Sequence, residues 1–159
     1  MKLYEILDTK MDIEYEIDSK MMYAHSIIDN NTYECYCQET DFENSIEHYF
    51  DEKDINNQEQ LRVFKQQNPI IWHIAFNQVN DSFIKIYDLT NANVPFKVFS
   101  FIKQALLKFV KQYHPKYITF TADSDSRKQL YIKLISKNIQ IKKQYNFNNS
   151  KTDIVIIEI

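Results

Sequence analysis

From Asp12 to Ile17 apolar and acidic residues alternate, with Ile13, Tyr15 and Ile17 set against Asp12, Glu14 and Glu16. That period of two marks a half-buried strand. Met21 to Ile28 predicts a second strand, Asp29-Asn30-Asn31 a turn, and Thr32 to Cys37 a third, so this part reads as an antiparallel meander. From Thr40 to Asn68 the chain turns polar, rich in Asp, Glu, Asn and Gln. Ile46, Tyr49, Phe50, Leu61, Val63 and Phe64 are spaced there for two short helices, about 42–50 and 58–66. This is an excursion from the sheet, and loops of that kind carry partner or substrate specificity. After Pro69, Ile70 to Phe76 returns to a strand pattern with Trp72, Ile74 and Phe76 on one face. Asn80-Asp81 then predicts a turn into an antiparallel partner from Phe83 to Leu89.

The following segment sets the expected topology. Val94, Val98, Phe101, Ile102, Ala105, Leu106, Phe109 and Val110 recur at three and four, predicting a helix over about 94–113. Pro95 suits its first turn and Pro115 stops the chain after it. A strand from Tyr117 to Ala122 and a helix from about Ser124 to Lys137 follow. The order strand, loop, helix, strand predicts that 83–89 and 117–122 lie parallel, with the first helix as crossover. Thr90-Asn91-Ala92-Asn93 then falls between a strand end and a helix start, where unpaired backbone N–H groups favour an anion. A phosphate-bearing cofactor is the expectation. Ile139 to Phe147 and Thr152 to Ile159 predict two closing strands, the last apolar at nearly every position and therefore central.

Composition narrows the picture without selecting a chemistry. A chain of 159 residues suits one domain, here 1–159 with the helical or irregular excursion at about 40–68. Nineteen basic and 22 acidic residues give a net charge of −3, so no duplex nucleic acid is expected as partner. Acids gather in the N-terminal half and lysines in the C-terminal half, which polarises the molecule. No apolar run is long enough for a bilayer and the first residues lack a signal-peptide pattern, so a soluble cytoplasmic protein is expected. Cys35 and Cys37 share one face of a strand and point in parallel, which predicts buried free thiols. The four histidines have no ligand spacing, so no metal site is expected. There is no glycine, where average usage would give about eleven. Asn and Asp must therefore fill the positions with positive φ, and Asn30-Asn31 is one place where a turn wants them.

The run from Phe120 through Thr121-Ala122-Asp123-Ser124-Asp125-Ser126-Arg127-Lys128-Gln129-Leu130 to Tyr131, preceded by Tyr87-Asp88-Leu89-Thr90 and the helix holding Val98-Phe99, resembles a GNAT-like (acyl-CoA N-acyltransferase fold) family common in tailed bacteriophages. The similarity covers roughly residues 70–137, and the Met1-Lys2-Leu3-Tyr4 start is also similar. It implies an α/β fold, an α+β mixed sheet of six to seven strands with flanking helices. It further implies acetyl-CoA as cofactor, with its pyrophosphate against Leu89, Thr90, Asn91, Ala92 and Asn93 and its pantetheine between the two splayed parallel strands, 83–89 and 117–122. Tyr131 takes the position of the proton donor to the leaving thiolate, a role open to a phenol whose ordinary pKa is near 10. Arg127, one turn earlier, would contact phosphate or fix Tyr131. Asp88, Glu34 and His73 are the candidates for a base. The family's phosphate loop is usually glycine-bearing, and this one is not.

Two functions follow from that resemblance. One is an acetyl-CoA-dependent N-acyltransferase acting on an amine of a protein or small molecule in the host cytoplasm. The other is a catalytically inactive protein on the same scaffold, a virion component or an inhibitor of a host or defence factor, to which the glycine-free loop and the acidic 40–68 excursion point. A homodimer is compatible with either. Each site residue also has a plain structural role: Tyr131 as a core ring, Arg127 as a solvent-facing or ion-paired helix residue, and Ser124 and Asp125 as helix-start residues.

Overall fold

The two periods of the sequence resolve into one mixed sheet with helices on both faces. The computed structural model describes residues 11–45, 58–79, 96–122, 125–148 and 153–159. Its strands are β1 (Glu14–Ile17), β2 (Met21–Ile28), β3 (Asn31–Asp41), β4 (Ile70–Gln78), β5 (Tyr117–Ala122), β6 (Lys143–Asn148) and β7 (Asp153–Glu158). Its helices are α1 (Phe42–Ser45), α2 (Gln58–Gln67), α3 (Phe96–Tyr113) and α4 (Asp125–Asn138). The strands lie in the order β1-β2-β3-β4-β5-β7-β6. Among these described strands only β4 and β5 run parallel; every other neighbouring pair is antiparallel.

Several boundaries follow from pairing rather than from hydrophobic pattern. Strand β3 continues past Cys37 to Asp41, because polar Gln38 to Asp41 stay in register with Ile70 to His73 of β4. The first closing strand starts at Lys143 rather than Ile139, whose amide instead donates to the Ile135 carbonyl at 2.9 Å and extends the end of α4. The parallel neighbour of β5 is β4, where 83–89 was expected: Trp72 and His73 occupy that edge of β5. The expected strand 83–89 itself lies outside the described residues. Strand β7 is flanked by β5 and β6 and buried from Ile154 to Ile157, as its unbroken apolar run requires.

Alternation sorts the core into two layers. On one face α3 and α4 lay Phe101, Leu106, Phe109 and Leu134 over Met22, Cys35, Ile74, Ile118 and Val155. On the other, Phe42 of α1 and Leu61 and Phe64 of α2 cover Ile71, Tyr117, Phe147, Ile154 and Ile156. Each such aromatic or aliphatic side chain contributes roughly 1.5–3 kcal/mol when fully removed from water. Helix α1 is fixed by Asp41, whose carboxylate accepts the Asn44 backbone N–H at 2.7 Å, an N-cap bond. The Glu43 N–H donates to Asn68 Oδ1 at 2.9 Å and ties α1 to the end of α2.

Without glycine, the left-handed positions fall to other residues. Asp29 (φ 51°) and Asn30 (φ 66°) turn the β2–β3 hairpin, as the sequence suggests. Asn68 (φ 40°) and His114 (φ 47°) follow the ends of α2 and α3, the place glycine usually holds. Cys35 and Cys37 are free and fully buried, with sulfurs 3.9 Å apart. Burial, reinforced by the hydrogen bond to Cys37, pushes the Cys35 thiol well up, so it is an inert core side chain. Among the described residues no helix is long and apolar enough to cross a membrane.

Candidate functional site

Strand β5 has two unlike edges. Against β7 it is paired at all six positions, from Tyr117↔Glu158 to Ala122↔Asp153. Against the nine-residue β4 it is paired at two, Trp72↔Ile118 and His73↔Thr119. Beyond that point, toward the carboxyl ends of both strands, these edges have no strand partner among the described residues. Backbone N–H and C=O groups on such edges seek partners. The carboxyl ends of parallel strands are where ligands of open α/β sheets bind.

Tyr131 stands at this parting. It lies in the second turn of α4, and its side chain is 6% exposed. Its ring is stacked 5.6 Å from Phe76 of β4 and 4.8 Å from Phe120 of β5, at 25° in both cases. Phe76 and Phe120 both lie past the last ladder pair, so Tyr131 bridges the two strands on the helical side beyond their last backbone pair. Arg127 is one helical turn before Tyr131 in α4; its side chain lies outside what is described. Leu89, Thr90, Asn91, Ala92 and Asn93, with Asp88 and Ser124, also lie outside the described residues. The neighbouring Lys128 has a role the sequence does not announce. Its ammonium sits 3.3 Å from Asp153 and 3.5 Å from Asp125, joining α4 to the start of β7. No local spacing signals that bond, because it depends on the β5–β7 register.

Glu34 and His73 project to the opposite face, away from Tyr131. Helices α1 and α2 cover the β5–β7–β6 side of that face, and the β1–β4 side is polar. Register places Glu14, His25, Glu34 and Asn77 in one row across four strands, with Glu16, Tyr23, Tyr36 and Ala75 in the next. Glu34 accepts from the Tyr23 hydroxyl at 2.7 Å and from Asn77 Nδ2 at 3.0 Å, and His25 Nε2 lies 3.0 Å from Glu14. The Tyr23 ring is 5.3 Å from His25 and 5.0 Å from Tyr36. Burial first, then its bond to the Glu34 carboxylate, push the Tyr23 phenol up to about 12. Burial lowers the His73 imidazole below its ordinary 6.5, so it is neutral at pH 7. Among the described residues no three His, Cys, Asp or Glu side chains gather around a common metal position.

Fold and site together define a mixed α/β protein in which, among the described strands, one pair is parallel and is joined at two positions. Comparison of the chain with protein-family models, with curated proteins and with solved structures finds no match.

Proposed function

We propose that the chain is an acyl-CoA N-acyltransferase-fold protein of the bacteriophage type that binds acetyl-CoA where β4 and β5 part and transfers its acyl group to an amine. The observation that carries this reading is the two-pair β4–β5 ladder at the centre of an otherwise antiparallel sheet. Backbone edges that leave each other at the carboxyl ends of parallel strands fit a slender, amide-bearing chain, and the resemblance at 120–131 falls at that end of the sheet. Acetyl-CoA, when bound, supplies an activated thioester and a thiolate leaving group. On this reading Tyr131 holds a proton at its hydroxyl beside the parting strands, positioned by Phe76 and Phe120. His73 and Glu34 project to the opposite face of the sheet, away from Tyr131, and are not assigned as the base. Arg127 and the segment Leu89 to Asn93 are assigned to the phosphates.

The test is thermal unfolding with and without CoA. A ligand at a hundred times its Kd stabilises by about 2.7 kcal/mol, a shift readily measured. The proposal expects CoA to raise the Tm saturably, and Tyr131→Phe to keep that shift while lowering turnover with an amine acceptor. An unchanged Tm at millimolar CoA would contradict it. One observation favours a second reading, a non-catalytic scaffold acting through protein contacts in the virion or on a host factor. Tyr131 is buried and stacked on both of its flanking rings, as a core residue would be. On that reading Tyr131→Phe leaves every function intact.

A further inference from the structure

A net charge of −3 averages over two unlike ends of the molecule. Strands β5 and β6 both run antiparallel to β7, so their first residues meet at one end of the sheet, with Tyr117 and Lys143 on either side of Glu158. The Lys142 N–H donates to the Glu158 carbonyl at 2.8 Å, and the Ile159 N–H to the Lys116 carbonyl at 2.9 Å. Helix α3 stops at Tyr113, just before β5, and α4 at Asn138, just before β6, so both helices finish at this end. Lys111, Lys116, Lys133, Lys137, Lys142 and Lys143 are gathered there, and all are exposed. Among the described residues none of them forms an ion pair. The acids of α3, α4, β5, β6 and β7 are Asp125, Asp153 and Glu158. The first two hold Lys128 at the opposite end of β5, which leaves Glu158 alone among the lysines.

Local stability explains only part of this cluster. Lys111 and Lys137 sit in last turns, where a cation offsets the helix dipole. Lys116, Lys142 and Lys143 lie outside the helices, and Lys133 and Lys137 are like charges at i and i+4, a destabilising spacing. An anionic partner relieves that repulsion, and the surroundings narrow its kind. Protein interfaces are depleted of lysine and centre on apolar anchors, and membrane-surface helices insert apolar side chains. Among the described residues α4, β5, β6 and β7 expose no large hydrophobic side chain. Single-stranded nucleic acid stacks its bases on open aromatic faces. Here the Tyr117 and Tyr145 rings carry the protein's own ammonium groups, Lys116 at 5.3 Å and Lys143 at 4.8 Å. A duplex, with its bases stacked inside and phosphates outside, asks only for cations.

We infer that this end of the sheet docks on the phosphate backbone of duplex nucleic acid without reading its bases. The expectation of no duplex partner rested on net charge, which hides the segregation of sign. The surface lies at the amino ends of β5 and β6, opposite the carboxyl ends proposed for CoA, so it stands independently of CoA binding and acyl transfer.

The experiment is fluorescence anisotropy of a short labelled DNA duplex titrated with the full chain, without CoA, over a salt series. Six neutralised phosphates give log K against log salt a slope of about −5, a loss of roughly a thousandfold between about 50 and 200 mM salt. Duplexes of different sequence are expected to bind alike. The combined variant Lys116→Gln, Lys142→Gln, Lys143→Gln is expected to roughly halve the slope. Should it fail to fold, Lys133→Gln with Lys137→Gln carries the same test, with the slope falling by about two units. Lys97→Gln, at the far end of α3, should leave the slope unchanged. A slope that survives the lysine variants, or falls equally with Lys97→Gln, would overturn the inference. So would a single strand bound as tightly as the duplex, or tighter retention by phosphatidylserine vesicles or polyglutamate at equal anion concentration.

Discussion

The two edges of β5 make an internal comparison. One edge is joined to β7 at six positions and the other to β4 at two, although both neighbours are long enough to pair throughout. The β7 side is sealed by Ile154, Val155, Ile156 and Ile157, all buried, and Thr119 Oγ1 adds a buried bond to the Val155 carbonyl at 3.0 Å. The β4 side is bridged instead by three side-chain rings. Where backbone pairs with backbone, the sheet is complete in itself. Where it stops, the polypeptide leaves groups that can be satisfied by something else, and that difference separates the structural half of the sheet from the half proposed to act.

Removing the bridge should have the largest effect. Phe120→Ala is expected to lose about 3–5 kcal/mol in urea unfolding, since it empties a buried site against both Tyr131 and the helical layer. A loss below about 1 kcal/mol would mean that the rings do not hold β4 and β5 together. On the sealed side, Ile156→Val should cost about 0.5–1.5 kcal/mol and leave any CoA-induced Tm shift unchanged. A comparable loss, about 0.5–1.5 kcal/mol, is expected for Thr119→Val if its hydroxyl bond to β7 contributes as a typical one does.

Smaller effects should appear in pH dependence. The folded protein resists protonating His73, whereas the unfolded chain accepts the proton near its ordinary 6.5. Stability from this group is therefore complete above that value and declines as pH falls toward the lowered folded one. His73→Gln should flatten that part of the acid arm relative to the parent chain. Tyr23 works at the other end. Its contribution is intact below pH 10 and is lost as pH rises toward about 12, and Tyr23→Phe should remove it from the alkaline arm.

Much of the architecture was legible in residue order. Alternation located β1, the placing of Trp72, Ile74 and Phe76 on one face located β4, the three-and-four spacing located α3, and the apolar run from Thr152 to Ile159 announced a strand covered on both sides. Partner choice was not legible. Two strand-like runs, 70–76 and 83–89, precede α3, and nothing in either periodicity says which one reaches β5. The polar tail of β3 was also invisible, because Gln38 to Asp41 are held by register with β4 and not by their own hydrophobicity. Tyr131 was identified by its place in a resembling segment, yet the rings that hold it, Phe76 and Phe120, come from two strands 44 residues apart in the chain. The Glu14–His25–Glu34–Asn77 row is a product of cross-strand register alone. Its faint sequence signal is the Glu, Tyr and His residues at alternating positions of β1, β2 and β3.

Amide hydrogen exchange across β4 and β5, read residue by residue with and without CoA, tests the central claim most directly. The account predicts that amides of Ile74 to Gln78 on the side facing β5, and of Phe120 to Ala122 on the side facing β4, exchange far faster than those between β5 and β7 and slow when CoA is added. Equal protection on both edges of β5, or rates that CoA leaves untouched, would contradict it.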